Sequence, residues 1–557
     1  MRGCQIDLDV VMPMRDGVNL QANIYRPGEG GPFPTLLTRL PYGKDLALGT
    51  SVLDPVQVTR RGYAVVVQDT RGRFLSEGEF DPYRTEDGDG FDSIAWVAAQ
   101  PWSDGKVGMY GASYFGQTQW AAAKLNPPAL LAIAPHITWS EPLDGPLARD
   151  GAVELGLAAS WGLQMVFADL VRRHPGDPMA LGRALHSAIR DYDGLATGGY
   201  RELPLKGFPP LARHGVGGRV DLTLAALDDP AAAEHLRVRH EDVQVPALNG
   251  GGWYDIFLQG TIDNHNAMRR LGRPSRLVIG PWSHSTSINP VGEVNFGFGA
   301  QSILIDLRAD FQSMQLRWFD HWLRGLDTGL MNEPAVKIFV MGVNRWRDLD
   351  EFPPSDSTPR DYFLHASGLL KLDPPAAGDA PDGFAYDPAD PVPTRGGALL
   401  MTPEFRGGPY DQRDIEARPD VLVFTSDPLT ALLEVTGQVS VILFASTTAP
   451  STDFVGRLCD VRPDGQSINL TDGIVRVSGE PGTIQRHEID LWATSNVFLP
   501  GHRIRLQITS SCFPRWDRNL NTGEPLGKGT TMAVARQTVF HDAAHPSALR
   551  LPTQPVA

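Results

Sequence analysis

Residues 105–124 read GKVGMYGASYFGQTQWAAAK, and the reading of this stretch decides the fold. Val107–Tyr110 has the apolar character of a buried strand. A tight Gly-Ala-Ser-Tyr-Phe-Gly turn follows, then an Ala-rich segment at helical spacing. A serine nucleophile exposed on a sharp strand-to-helix turn carries the pattern G-x-S-x-G. Gly111 and Ser113 fit it, but the second glycine falls one place late, at Gly116. On spelling alone, Ser113 reads equally as a nucleophile or as a small residue where a strand meets a helix.

The surroundings of this turn supply a context. Short apolar runs recur at Pro34–Leu37, Tyr63–Val67, Val107–Tyr110, Ala129–Ala134 and Val245–Leu248. Helical patterns such as GFDSIAWVAAQ (90–100) and TQWAAAKL (118–125) lie between several of them. Strands alternating with helices predict βαβ units, and continuous apolar strands predict a parallel sheet buried on both faces. The alternation stops after Pro135, and AVELGLAASWGLQMVFADLVRR (152–173) and DPMALGRALHSAI (177–189) then read as helices. Such an insertion between two strands of one sheet is a way to build a lid. Beyond the proline-rich RDLDEFPPSDSTPR (347–360), strand signals come at short intervals, as in VTGQVSVILFAS (435–446) and RIRLQITSS (503–511). An antiparallel sandwich or jelly roll is expected there.

The fold class predicted is therefore an α/β-hydrolase domain with an inserted helical cap and a C-terminal all-β jelly-roll domain. Its expected boundaries are 1–143 and 241–350 for the two parts of the hydrolase domain, 144–240 for the cap and 351–557 for the jelly roll. A chain of 557 residues exceeds one hydrophobic core, so roughly two to four domains are expected in any case.

Composition narrows the function classes. The 50 Lys+Arg against 65 Asp+Glu give a net charge of −15, without a basic stripe, which excludes phosphate-backbone binding. Cys4, Cys459 and Cys512 are scattered, with no C-x-x-C, so neither a disulfide framework nor a zinc knuckle is indicated. The first 21 residues turn acidic early and lack the apolar core of a signal peptide. No run approaches the ~18 apolar residues of a membrane span, so a cytoplasmic chain free of membrane and nucleic-acid partners is expected.

Serine needs a histidine base held by a carboxylate, and on this fold they follow in the order Ser, Asp/Glu, His. VPALNGGGWYDIF (245–257) is a strand, three glycines and then Asp255, and RLVIGPWSHS (276–285) is a strand followed by His284. Each places its residue just past a strand's C-terminal end, where ligands of α/β sheets bind. Alone, Asp255 reads as a loop cap or surface carboxylate, and His284 equally as a ligand or base and as a satisfied loop histidine. Together with Ser113, in this order, they favour catalysis. His136 competes as a base but brings no third group. A metal held by His265 and His284 finds no H-x-x-x-H or H-E-x-x-H helix to support it.

The chain resembles the cocaine-esterase family of acyl hydrolases, which is related to X-prolyl dipeptidyl peptidases and α-amino acid ester hydrolases. The resemblance runs almost end to end. It is carried by VMPMRDGVNLQANIYRP (11–27), RLPYGK (39–44), GYAVVVQDTRGRFLSEGEF (62–80), VGMYGASYFGQTQW (107–120), GGWYDIF, LVIGPWSHS, YDPADPVP (386–393) and DLWATSNVFLPGHRI (490–504). In that family the elbow reads G-x-S-Y-x-G, which accounts for the late glycine. The resemblance implies Ser113 as nucleophile, His284 as base and Asp255 as its orienting acid. It implies an oxyanion hole made by the Tyr42 hydroxyl and the backbone N–H of Tyr114. Asp69, Arg71 and Glu77 are read as bracing the active-site loops.

The same resemblance places Trp161 and Phe257 against the acyl group. At two further substrate-binding positions the chain departs from the family. Leu143, in EPLDGP (141–146), stands where the family has tryptophan, and Leu400-Met401 stands where it has leucine and phenylalanine. Both exchanges replace a flat ring by a flexible chain, so a more deformable acyl pocket is expected. The implied activity is a serine carboxylesterase cleaving small acyl esters, with no cofactor, a small-molecule ester as its partner and a homodimer left open. Amide-cleaving or amine-reading relatives form the alternative: an X-prolyl peptidase, an α-amino ester hydrolase or a β-lactam acylase. An acyltransferase would use the same residues. The candidates for reading a free amine are Glu141, Asp144, Asp150 and Glu154.

Overall fold

The computed structural model describes residues 3–46, 52–216, 218–305 and 310–555. The strands that carry the site are β1 (Cys4–Pro13), β2 (Asn19–Pro27), β3 (Phe33–Leu40), β4 (Ala64–Asp69), β5 (Ser103–Ala112) and β6 (Leu130–His136). A two-residue hairpin, β7 (Ala148–Arg149) and β8 (Ala152–Val153), comes next, followed by β9 (Ala247–Tyr254), β10 (Ser275–Ser283), β11 (Val336–Val340) and β12 (Arg345–Leu349). Among the described residues, ten of these strands form one sheet in the order β1-β2-β4-β3-β5-β6-β9-β10-β11-β12. From β4 to β11 every neighbouring pair is parallel. The edges β1, β2 and β12 run antiparallel.

This is the expected α/β-hydrolase sheet, and its apolar runs are buried as predicted: Ala64–Asp69 and Ala247–Tyr254 are buried throughout. Sequence reading named no strand before Pro34. The reason is visible in β1, which alternates irregularly and leaves Ile6, Leu8 and Val11 exposed on a sheet edge. Strand order reverses around β3, with β4 on one side and β5 on the other. The loops after β3 and β5 therefore diverge and open a crevice at the strands' C-terminal ends.

Helices α1 (Pro55–Arg60), α2 (Glu86–Ala98) and α3 (Tyr114–Ala123) belong to the sheet's flanks. Between β6 and β9 stand the cap helices α4 (Leu155–Arg173), α5 (Pro178–Gly194), α6 (Pro209–Ala212) and α7 (Gly218–Asp228). Proline at the start of α5 and Asp177 accepting from the Ala180 N–H at 2.8 Å begin that helix where sequence reading placed it. Helices α8 (Leu258–Arg270) and α9 (Phe311–Arg324) complete the hydrolase unit.

The C-terminal strands form a second, largely antiparallel sheet system built around Leu433–Thr447, which pairs with Gln485–Phe498, Ala535–Phe540 and Ala548–Gln554. One hydrophobic core joins the two units, with Trp253 and Ile279 from the first and Val441 and Leu491 from the second. Polar clamps add to it at the root of the cap. Arg149 donates to the Asp472 and Asp490 carbonyls at 2.8 and 2.6 Å, and the Trp516 indole donates to Glu154 at 2.6 Å.

Candidate active site

Ser113 closes β5 and opens α3 with φ 57° and ψ −121°. A non-glycine residue at positive φ is strained, and such strain persists where the surroundings enforce it. Here they do. The Ser113 N–H donates to the His136 carbonyl at 2.9 Å, its own carbonyl accepts from Gly116 and Gln117 at 3.0 Å, and the Thr138 hydroxyl donates to that carbonyl at 3.0 Å. A Cβ on Gly111 would come within 2.3 Å of the Phe115 ring, and one on Gly116 within 2.9 Å of Thr138. The late glycine is thus a packing requirement of this turn, where α3 passes close over the loop that follows β6.

Asp255 follows β9 and His284 follows β10. The His284 Nδ1 and Asp255 Oδ2 are 2.7 Å apart, and Asp255 is wholly buried. The second carboxylate oxygen, Oδ1, accepts from the Phe257 N–H at 2.7 Å, so both oxygens are engaged. This arrangement fixes the ring orientation and leaves Nε2 as the working nitrogen. The Phe257 ring stands edge-on to His284 with centroids 5.3 Å apart.

Tyr42 lies just past β3. Its hydroxyl oxygen accepts from the Trp161 indole at 3.2 Å, which leaves its proton free to be donated elsewhere. Burial holds the phenol above the ordinary tyrosine pKa, against the pull of the Trp161 bond, the Arg219 and Arg73 charges and the neighbouring Ser113 hydroxyl. The phenol is therefore protonated at neutral pH. The Tyr114 N–H is the first of α3 and has no acceptor within its own helix. The Tyr114 side chain is committed elsewhere. Its hydroxyl donates to Glu86 at 2.8 Å and accepts from the Tyr83 N–H at 3.2 Å, and Glu86 pairs with the buried Arg39 at 2.9 Å.

Trp161, Phe257 and Tyr114 share an apolar cluster against which Tyr42, Leu143 and Leu400 pack. Met401 is not with them. Its side chain belongs to a separate cluster under α4 and covers Gly156, where a Cβ would lie 2.6 Å from the Met401 Sδ and Cε. The chain turns between Leu400 and Met401, so the two neighbours serve different cores.

Other sequence candidates take structural positions. His136 packs against Phe311 with centroids 4.3 Å apart, and burial lowers its pKa to about 4. His265 bonds the Ser275 hydroxyl at 3.0 Å and is lowered by burial to about 3. Among the described residues, no three potential metal ligands gather. Asp69 accepts from the Lys44 N–H, Arg71 pairs with Asp89, and Glu77 accepts from the Asn19 N–H, at 2.7, 2.6 and 3.0 Å. Glu141 pairs with Arg237 at 3.1 Å and Asp144 accepts from the Trp492 indole at 2.9 Å. Glu154 is held by Trp516 near Arg515, with burial pushing its pKa up to about 7, and Asp150 is exposed.

Sequence reading passed over Arg73, Tyr83, Glu86 and Arg219. Glu86 carries a legible trace, since an acid beginning α2 ahead of an apolar helix is a common surface feature, but nothing local tells that it is buried. Arg219 lies in GVGGRVDLTLAALDD (215–229), which reads as a polar turn and helix.

Comparison with known proteins follows the same lines. Residues 16–286 match the family model described as X-Pro dipeptidyl-peptidase (S15 family). Residues 328–550 match the X-Pro dipeptidyl-peptidase C-terminal non-catalytic domain. The chain is 37% identical over 576 residues to a cocaine esterase of Rhodococcus sp. (strain MB1 Bresler), covering 98% of each chain. Among solved structures it is similar to an aminopeptidase from a marine-sediment Thaumarchaeota archaeon, with TM-score 0.76, 25% identity and coverage of 99% of this chain and 96% of that one. It is also similar to an α-amino acid ester hydrolase, with TM-score 0.75, 25% identity and coverage of 99% and 97%.

Proposed function

We propose that this chain, which belongs to the X-Pro dipeptidyl-peptidase (S15) family and is a serine hydrolase acting on esters, works through Ser113, His284 and Asp255 as nucleophile, base and orienting acid. The observations that carry the assignment are the 2.7 Å contact between His284 Nδ1 and a wholly buried Asp255, and the strained strand-to-helix elbow that holds Ser113. Ser113 Oγ attacks the ester carbonyl while its proton passes to His284 Nε2. The tetrahedral oxyanion accepts hydrogen bonds from the Tyr42 hydroxyl and the Tyr114 N–H. The imidazolium then gives its proton to the departing alcohol, leaving an acyl-Ser113. A water deprotonated by the same nitrogen releases the acid.

The acyl group is read as small and apolar at its reacting end, against Trp161, Phe257, Leu143 and Leu400. Glu141, Asp144 and Glu154 are already partnered, which supports acyl groups without a free amine over the aminoacyl alternative. We further place the enzyme in the cytoplasm, a location with which three unpaired thiols agree.

Ser113→Ala tests the assignment. The elbow accepts a smaller side chain, so the thermal transition should stay put while kcat falls by about 10⁴- to 10⁶-fold. A fluorophosphonate should label Ser113 stoichiometrically in the parent and nothing in the variant. Residual activity above a few per cent, or labelling at another serine, refutes it.

A further inference from the structure

A cleft of about 920 Å³ opens between the cap and the loop 72–84, and Trp161, Tyr83 and Leu147 are among its lining residues. Its floor touches the proposed chemistry, because the Trp161 indole donates to Tyr42. Its walls carry five arginines, Arg73, Arg84, Arg172, Arg173 and Arg219. Four of these are accounted for. Arg84 pairs with Asp81 at 2.8 Å, and Arg173 with Asp169. Arg172 donates to the carbonyls of Phe74, Ser76 and Gly78. Arg73, buried, donates to the Pro41 and Met165 carbonyls at 2.9 and 3.0 Å.

Arg219 is different. It reaches from α7 across the face of Trp161, with its guanidinium carbon 4.8 Å from the ring centroid. One nitrogen donates to the Pro146 carbonyl at 2.7 Å. Its Nε is buried and has no partner, and among the described residues no carboxylate lies within ion-pair distance. None of the acids of the cleft forms an ion pair with Arg219 among the described residues. Asp81 and Asp169 are paired, Asp221 accepts from the Gly207 N–H at 2.8 Å, and Glu79 stands exposed at the rim.

Arg219 is half-buried, and a guanidinium partly withdrawn from water without an anion gains when a carboxylate meets its planar fork. Cation–π contact with Trp161 orients the guanidinium, which also reaches the Tyr83 hydroxyl, and among the described residues no carboxylate meets it. Resting on the esterase reading above, we infer that Arg219 makes this cleft a binding site for a carboxylate at the far end of the acyl group, so that monoesters of dicarboxylic acids are preferred substrates. The acyl side is chosen because Trp161, on whose face Arg219 lies, is also the residue placed against the acyl group. Arg73 adds a second positive charge, which among the described residues forms no ion pair and feels Asp169 and Asp69 only from a distance. The preference runs against the chain's net charge of −15, so it must come from these local groups.

The experiment compares methyl esters that differ only in a terminal carboxylate for methyl: monomethyl succinate with methyl butanoate, monomethyl glutarate with methyl pentanoate, and monomethyl adipate with methyl hexanoate. Methanol release gives kcat/KM for each, and the readout is the ratio within a pair. The parent should favour the charged ester in at least one pair by about tenfold or more. In Arg219→Gln that ratio should fall by about tenfold or more, chiefly through KM. Arg219→Lys, which keeps the charge and loses the fork, should fall between. Because each ratio is internal to one preparation, a general loss from a loosened cap cancels.

A parent ratio near one in all three pairs, or a ratio that does not move with Arg219, overturns the inference. If neutral esters are cleaved and need Ser113 while the ratios stay flat, the carboxylate site fails and the esterase reading stands. If cleavage of every ester survives Ser113→Ala, the esterase reading itself fails.

Discussion

Asp255, on a strand-end loop of the sheet, and Arg219, on a helix of the cap, are both charged side chains set into the site, yet their surroundings are opposite. Asp255 has an acceptor bond for each oxygen and no exposure. Arg219 has one carbonyl, a ring face and the Tyr83 hydroxyl, a buried Nε–H without a partner, and no carboxylate among the described residues. A group that must hold a histidine through every turnover is saturated by the protein itself. A group that recognises a ligand is left incomplete until the ligand comes. The sheet, with its two-sided core and parallel ladder, supplies the first kind of position, and the cap supplies the second.

The sharpest way to break this contrast is to disturb the saturated side. Asp255→Asn keeps the volume but offers an amide where the imidazole needs an acceptor, favouring the wrong tautomer. The expected loss is about 10⁴-fold in kcat with KM and thermal stability little changed. Kinetics at saturating ester, together with a melting curve, decide it. A loss under tenfold would mean that the 2.7 Å contact is structural.

Tyr42→Phe tests the junction of the two regions, since Tyr42 belongs to the sheet but receives its hydrogen bond from the cap. One oxyanion donor is removed, so kcat should drop by about 10²-fold or more while KM holds. A rise in KM at constant kcat would make Tyr42 a binding residue only.

The smallest effects belong to the apolar wall. Leu143→Trp should return a ring to the acyl pocket and shift kcat/KM toward benzoyl over hexanoyl esters, by a few-fold. Each methylene that the parent pocket can still bury should add about 0.8 kcal/mol, roughly fourfold, until the pocket is full. Met401→Phe should leave that ratio alone. It should instead cost about 1–3 kcal/mol in stability, because the larger side chain meets Gly156 across a tight contact. A change of acyl preference from Met401→Phe with an unchanged melting temperature would place it in the pocket after all.

Much of this molecule was legible in its residues for definite reasons. Buried parallel strands are continuous apolar runs, so β4, β5 and β9 stand out, and the loops that carry the proposed triad follow strand C-terminal ends. The order Ser113, Asp255, His284 then needs no tertiary information. What could not be read depends on contacts distant in sequence. The edge strand β1 has no clean periodicity because one side meets solvent. Whether Met401 faces the acyl group or the underside of α4 depends on a single turn of the chain. The lack of a carboxylate partner for Arg219 among the described residues is a property of everything around it, and no local pattern encodes that.

Trp161 carries an evolutionary consequence. Its indole ring forms the cleft floor, supports Arg219 and donates to Tyr42, so any substitution there changes substrate choice and turnover together. Such pleiotropy makes the position a poor starting point for adaptation to a new ester. Leu143 and Leu222, which border the same cluster without a polar duty, are free to drift. In diverging relatives, novelty should therefore accumulate first at those leucines and on α7, with the tryptophan retained long after the preferred acid has changed.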